Sequence, residues 1–223
     1  MHRKVSAVFL PTEEIIYPNG SKLTTIVDVQ SLSNLLEGER RPGFFKGVAT
    51  VVMKFFSMIE PTLAFFGQKD LQQAILLRRM KSDLHLNYPK SLIIIPTVRM
   101  ESKLALSSRN GYLSKEELDK SICLFNALSK AASFTQPLSI DSTISFEELE
   151  TIAKETVEKY EGIKLEFFSI NDPISFKMLD TIKPLQPIAL SGSILVGDRP
   201  VRLIDNLVFH HDLNNGLKYD PST

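Results

Sequence analysis

Two short stretches carry the side chains best suited to gripping an anion. Lys69 stands in Gly67-Gln68-Lys69-Asp70, between an apolar run and a helix-forming run. A lysine placed there offers a compact positive charge to a phosphate, beside a helix N-terminus whose unpaired N–H groups attract anions. Ser107-Ser108-Arg109 offers two hydroxyls and a planar guanidinium, a donor set that can hold a polyphosphate. Each has a plainer reading. Asp70 with Gln73 three residues later has the spacing of a capping box, Asp as N-cap and Gln at N3. A lone loop lysine or a polar triplet is more often simply solvated, and so is the pair Arg40-Arg41 ahead of Pro42-Gly43. Arg202 and Asp205 are expected to form a structural ion pair or turn. His2, His85, His210 and His211 show neither metal-ligand spacing nor a nucleophile partner. Gly-x-Gly-x-x-Gly, P-loop and Gly-x-Ser-x-Gly patterns are absent.

The background is that of a soluble globular chain. Its 223 residues are 43% hydrophobic and 23% charged, and 26 Lys and Arg balance 26 Asp and Glu. A formal charge of zero removes any global electrostatic reason to expect nucleic acid or an anionic membrane as partner. Cys123 is the only cysteine, which excludes an intramolecular disulfide and a thiolate zinc cluster and suits a reducing compartment. Apolar runs stay well short of the roughly 18 residues that would suggest a membrane span.

The elements that must position the candidate residues follow from periodicity. Residues 4–10 and 23–29 read as strands, and Tyr17-Pro18-Asn19-Gly20 as a turn. A short helix from Ser31 is expected to stop at Gly38. Phe45, Val48, Val52, Phe55, Phe56 and Ile59 recur at helical spacing over 44–59, closed by Pro61. A strand at 62–66, the Lys69 loop, a helix over 71–83 and a strand at 91–96 then alternate in the rhythm of a doubly wound parallel α/β sheet. After Pro96 the character changes. Residues 97–112 read as a polar loop, and capping boxes at Ser114 and Ser145 start helices running toward Ala132 and Gly162. Residues 133–143 read as a connecting loop, strands are expected at 163–170, 187–196 and 200–209, and residues 210–223 read as a frayed tail. The fold class is α/β: a partial doubly wound, Rossmann-like sheet over residues 1–97, then a smaller α+β domain over 98–223.

Several segments taken together resemble a known family. Leu36-Glu37-Gly38, the run from Arg41-Pro42-Gly43 to Val51-Val52, Phe66-Gly67-Gln68-Lys69-Asp70-Leu71-Gln72-Gln73, Pro96-Thr97-Val98-Arg99, Leu104 through Leu113, and Arg202-Leu203-Ile204-Asp205-Asn206 are similar, in order, to pantothenate synthetase, the pantoate–β-alanine ligase family. The resemblance implies a Rossmann-like nucleotidyltransferase that joins pantoate to β-alanine through a pantoyl adenylate, releasing pyrophosphate and then AMP. By resemblance, Gly67, Gln68, Lys69, Asp70, Val98, Leu106, Ser107, Ser108 and Arg109 contact ATP, with Lys69 and Arg109 catalytic. Gln73 binds pantoate, so it holds substrate and not its own helix end, while Asp70 can do both. Magnesium is carried by ATP and no metal is held by the protein alone. The family further implies a cytoplasmic homodimer in the full-length form, with no nucleic acid and no membrane among its partners.

Two departures stand out. Phe44 occupies a position where the family usually has His. The family's first strand and its Pro-x-Met-Gly-x-x-His-x-Gly-His-type segment have no counterpart, and residues 5–11 instead resemble a later strand of the same domain. On this reading, at least two βα units, on the order of 60 residues, precede what is seen here in full-length members. The expectation for the isolated chain is no detectable pantothenate formation. Two alternatives stay open: another carboxylate-adenylating nucleotidyltransferase, separable by pyrophosphate exchange with other hydroxy acids, and a non-catalytic remnant acting only as a binding module.

Overall fold

The computed structural model describes residues 5–20, 22–135 and 142–214. It divides into two compact units, Met1–Leu63 with Leu76–Ser91, and Ala64–Ile75 with Leu92–Thr223.

The first unit is built on helices α1 (Glu13–Ile16), α2 (Gln30–Ser33), α3 (Glu37–Arg40) and α4 (Phe44–Ile59). The apolar stripe of α4 turns Phe45, Ala49 and Phe56 inward. The helix stops at Glu60, which takes a left-handed conformation and donates its N–H to the Phe56 carbonyl, with Pro61 next. The turn at residues 17–20 forms as expected, Gly20 at positive φ donating to the Tyr17 carbonyl.

Three expectations fail in this unit. Residues 5–10 alternate like a strand, but no described strand lies alongside them, and Val8 and Leu10 stand exposed. A strand is a shared ladder of hydrogen bonds, so alternation without a partner leaves the chain irregular. Residues 23–29 form no strand either. They are tied down by side chains of α4, with Thr50 Oγ1 accepting from Val27 N at 3.0 Å and Lys46 pairing with Asp28 at 3.1 Å. Gly38 does not end a helix; it sits inside α3. A Cβ there would lie 2.0 Å from the Ser33 carbonyl oxygen, so glycine serves close backbone approach.

The parallel layer is the unit β1 (Leu63–Gly67), a 3-10 turn (Gln68–Asp70), α5 (Leu71–Asp83) and β2 (Ser91–Ile95), whose two strands pair in one sheet. Helix α5 runs over the expected residues. Asp70 is not its N-cap, because it lies inside the 3-10 turn that leads without a break into Leu71.

Beyond β2 the chain forms α6 (Lys115–Lys120), α7 (Cys123–Thr135), the short β3 (Ile144–Ser145), α8 (Phe146–Val157), β4 (Ile163–Asn171), the short β5 (Thr181–Ile182), β6 (Ile188–Val196) and β7 (Val201–Phe209). The helix from Ser114 is broken after Lys120, where Ser121 is buried and its hydroxyl donates to the Glu117 carbonyl at 2.6 Å. Both capping boxes are present, Ser114 with Glu117 and Ser145 with Glu148. Strands β4, β6 and β7 form an antiparallel sheet in the order β4-β6-β7. Its inward positions, among them Ile170, Leu190, Ile194 and Leu203, pack with Leu124, Leu128 and Leu149 of α7 and α8. Gly192 lets α7 come close, since a Cβ there would meet Leu124 Cδ1 at 3.0 Å.

The segment after β7 is not frayed as far as it is described. Leu213 is buried, and the Asn214 side chain accepts from Ile94 N at 2.8 Å and donates to Ile94 O at 3.0 Å, occupying both backbone groups of one β2 residue. The rest of that expectation, residues 215–223, lies outside the described residues, as do residues 136–141 of the expected connecting loop.

Candidate functional site

Strand β7 is an edge strand, and the two turns that carry the candidate residues both pack on it. The first is the turn Gln68–Asp70 at the end of β1. Asn206, in the middle of β7 and almost fully buried, donates its Nδ2 to the carbonyls of Gln68 at 2.8 Å and Lys69 at 3.0 Å. Its Oδ1 accepts from Gln68 Nε2 at 3.2 Å. One amide side chain thereby satisfies two backbone acceptors and one side-chain donor of the loop. Buried carbonyls of this kind need such partners.

The second piece is residues 97–112, which hold more structure than a polar loop. Arg99 and Ala105 form an antiparallel bridge, Met100 N donates to Leu104 O, and Leu106 N donates to Val98 O at 2.9 Å. Leu104 and Ala105 are buried, while Val98 and Leu106 stay exposed. The strand-like turn-back ends in a 3-10 helix, Ser108–Tyr112, capped by Ser107 Oγ, which accepts from Arg109 N at 3.2 Å. Arg99 pairs with Asp205, and the Arg99 guanidinium lies 4.7 Å from the centre of the Phe125 ring. Arg109 Nη1 donates to the Arg202 carbonyl at 3.2 Å.

The expected pairing of Arg202 with Asp205 does not occur. Residues three apart on a strand point to opposite faces. Arg202 instead pairs with Glu166, an acceptor also of Ser193 Oγ at 2.8 Å, and Glu166 stands where a register shift interrupts the β4–β6 ladder.

Lys69 and Ser107 line the same small gap, about 10 Å³, whose wall includes Ala105, Phe125 and Asp205. That is about the volume of one water molecule on this measure. Gly67 precedes the first turn, Gln73 lies half-buried in the first turn of α5, and Asp70 and Ser108 are exposed. Every sequence-derived site residue therefore lies in the second compact unit. Lys69 and Ser107 share one wall, Gln68 and Arg109 are bonded to β7, and Val98 and Leu106 are paired with each other.

Sequence reasoning missed the work of Asp205 and Asn206. The available signal was two adjacent polar residues in the otherwise apolar run Leu203-Ile204-Asp205-Asn206-Leu207-Val208, where one must face inward whichever way the strand lies. Cys123 contributes no nucleophile, since burial pushes its thiol up to about 12. Among the described residues, no three His, Cys, Asp or Glu side chains cluster so as to hold a metal ion.

Comparison with known proteins places the chain in a family. The family described as pantoate-beta-alanine ligase matches residues 1–208. Pantothenate synthetase of Coprothermobacter proteolyticus is 38% identical over 205 residues, 92% of this chain and 69% of the relative. That of Herpetosiphon aurantiacus is 40% identical over 202 residues, 90% of this chain and 69% of the relative. A crystal structure of pantothenate synthetase from Thermus thermophilus matches with a TM-score of 0.72 and 35% identity, covering 88% of this chain and 67% of that one. A pantoate-beta-alanine ligase structure from Francisella tularensis, described as complexed with beta-gamma ATP and beta-alanine, matches with a TM-score of 0.61 and 28% identity over 90% of this chain and 64% of that one. The fold is thus that of a ligase, a parallel α/β layer with an added antiparallel sheet. The chain belongs to the pantoate-beta-alanine ligase family.

Proposed function

We propose that this site activates the pantoate carboxylate with ATP and passes the acyl group to β-alanine. A carboxylate oxygen attacks the α-phosphorus, the α–β anhydride bond breaks and pyrophosphate leaves. The β-alanine amine then attacks the acyl carbon, an amide bond forms, a proton is lost from nitrogen, and AMP leaves. The first step brings two anions together, so donors fixed in advance along the phosphates lower its barrier. Lys69, the N–H groups at the start of α5, Ser107, Ser108 and Arg109 fill that role. Gly67, Gln68, Asp70, Val98 and Leu106 shape the nucleotide's seat, and Gln73 holds pantoate. Magnesium arrives with ATP as part of the substrate. The reading extends to a cytoplasmic homodimer.

The observation that carries it is the shared gap between Lys69 and Ser107, which brings residues of two distant segments against one space. Family membership and the description of the Francisella complex support the choice of substrates. The test is pantoate-dependent ATP–pyrophosphate exchange, run on the chain alone and on a chimera in which it replaces the matched part of the Coprothermobacter relative. Exchange by the chimera with pantoate and not with other hydroxy acids supports the reading. A folded chimera without exchange overturns it.

A further inference from the structure

Within the segment Arg202–Asn206, three positions reach three different pieces of the candidate site. The Arg202 carbonyl receives Arg109, the Asp205 carboxylate receives Arg99, and the Asn206 amide engages Gln68 and Lys69. Arg109 and Lys69 are the two cations given to the reaction, and the guanidinium of the first and the backbone of the second are both held by one stretch of one strand. Asn206 is the most specific of the three ties. Its own N–H donates to Asp205 Oδ1 at 2.8 Å, so the carboxylate that anchors Arg99 also bonds the backbone of the residue that anchors Lys69. Among natural side chains of this size, only an amide offers two N–H donors and a carbonyl acceptor from one planar group. A carboxylate in its place would face two carbonyl oxygens with no proton to give.

We infer that Asn206 is a positioning residue for the adenylation step: it holds the Gln68 and Lys69 carbonyls so that the Lys69 side chain starts from a fixed place. This rests on the proposed reaction and deepens it. Asn206 touches no substrate in this account; it acts through the loop. A shift of about 1 Å in a charge at a reacting centre can cost on the order of 100-fold in rate, and an interaction used mainly in the transition state appears in kcat and leaves KM little changed.

The experiment compares Asn206→Asp with Leu207→Ala. Leu207 is the next residue on the same strand, packs against the sheet's core and takes no part in the site. Kinetics are read on the chimera and amide hydrogen exchange on the chain itself. Asn206→Asp is expected to lower kcat of pyrophosphate exchange about 100-fold, with KM for pantoate within about twofold. It should also speed amide exchange in residues 68–71 without changing that of β6. Asn206→Gln, which restores the amide on a longer arm, should recover part of the rate. Leu207→Ala should lose stability and keep its kcat. Wild-type kcat and wild-type loop protection in Asn206→Asp overturn the inference. So does an equal fall in kcat for Leu207→Ala at a matched loss of stability. If the unmodified chimera shows no exchange with pantoate, the proposed reaction fails; protection of residues 68–71 in Asn206→Asp then decides the clamp, and an unchanged value overturns it.

Discussion

Both terminal nitrogens of Arg99 donate to the Asp205 carboxylate, Nη1 to Oδ2 at 2.6 Å and Nη2 to Oδ1 at 2.9 Å. The carboxylate is 4% exposed and its partner 17%. Arg99 Nη1 also reaches the Lys103 carbonyl at 3.0 Å, so one guanidinium fastens its own turn-back and β7 together. The fork geometry lets two planar groups meet by two parallel bonds, which fixes orientation as well as distance.

Removing one partner of such a pair leaves the other charge buried and uncompensated. Asp205→Ala is therefore expected to destabilise the protein by about 3–5 kcal/mol, measured by urea unfolding. Exchanging both residues for apolar ones of similar size, Arg99→Met with Asp205→Leu, should recover part of that loss. A cost for Asp205→Ala below about 1 kcal/mol, in the range of exposed ion pairs, would contradict the account.

Lys69 is half-buried but lies in a turn and not in the apolar core. Lys69→Ala should leave stability within about 0.5 kcal/mol, the usual range for substitutions outside a packed interior. Pyrophosphate exchange by the chimera should fall about 100- to 1,000-fold, the usual cost of losing a preorganised donor to developing charge. A folded Lys69→Ala variant with near-normal exchange removes this side chain from the mechanism.

The two capping boxes make stability depend on acid in a defined direction. The Ser114 backbone N–H and then its side chain hold the Glu117 carboxyl below its ordinary 4.5, and Ser145 does the same for Glu148. A carboxyl with a lowered folded pKa contributes stability that is fully present above its unfolded value and is lost as pH falls through the folded one. Unfolding midpoints should therefore decline as pH drops below about 4.5. Ser114→Ala and Ser145→Ala together should flatten that decline. An unchanged slope in the double variant would show that other carboxyls control it.

Cys123 opens α7 with its thiol fully buried and pushed up to about 12. At pH 8 the native thiol should resist a disulfide reagent for as long as the fold holds and react at once in guanidinium. Rapid native labelling would mean that α7 opens readily. If protection holds, labelling rate becomes a measure of how often the helix leaves the sheet.

How far the sequence could be read depended on whether an element carries its own reason for forming. Helices α4 and α5 do: their apolar spacing marks their extent, and both occupy the expected residues even though Asp70 does not cap α5. The boxes at Ser114 and Ser145 likewise mark helix starts by local chemistry alone. Strands β4, β6 and β7 are nine residues each and largely apolar, enough to be read as strands, though neither face is marked by a regular alternation. Residues 5–10 and 23–29 also look like strands, but a strand needs a neighbour and the residues themselves do not reveal one. The candidate site divides the same way. Lys69 and Ser107-Ser108-Arg109 declare themselves as anion-binding types, whereas the amide that holds the Lys69 loop lies 137 positions away and shows only as a polar residue inside an apolar strand.

That separation has a consequence for the order in which the protein is made. At about 5–20 residues per second, Asn206 leaves the ribosome roughly 7 to 27 seconds after Lys69. Throughout that interval the lysine's loop exists without the side chain that receives its backbone. Its helix can already be in place, since helical hydrogen bonds are local, and its strand can pair as soon as β2 has emerged. What waits is the final seating of the loop, together with the anchoring of Arg99 and Arg109, because all three depend on the last described strand. A chain interrupted before β7 would thus carry every residue proposed to touch ATP, with no means of holding them in register.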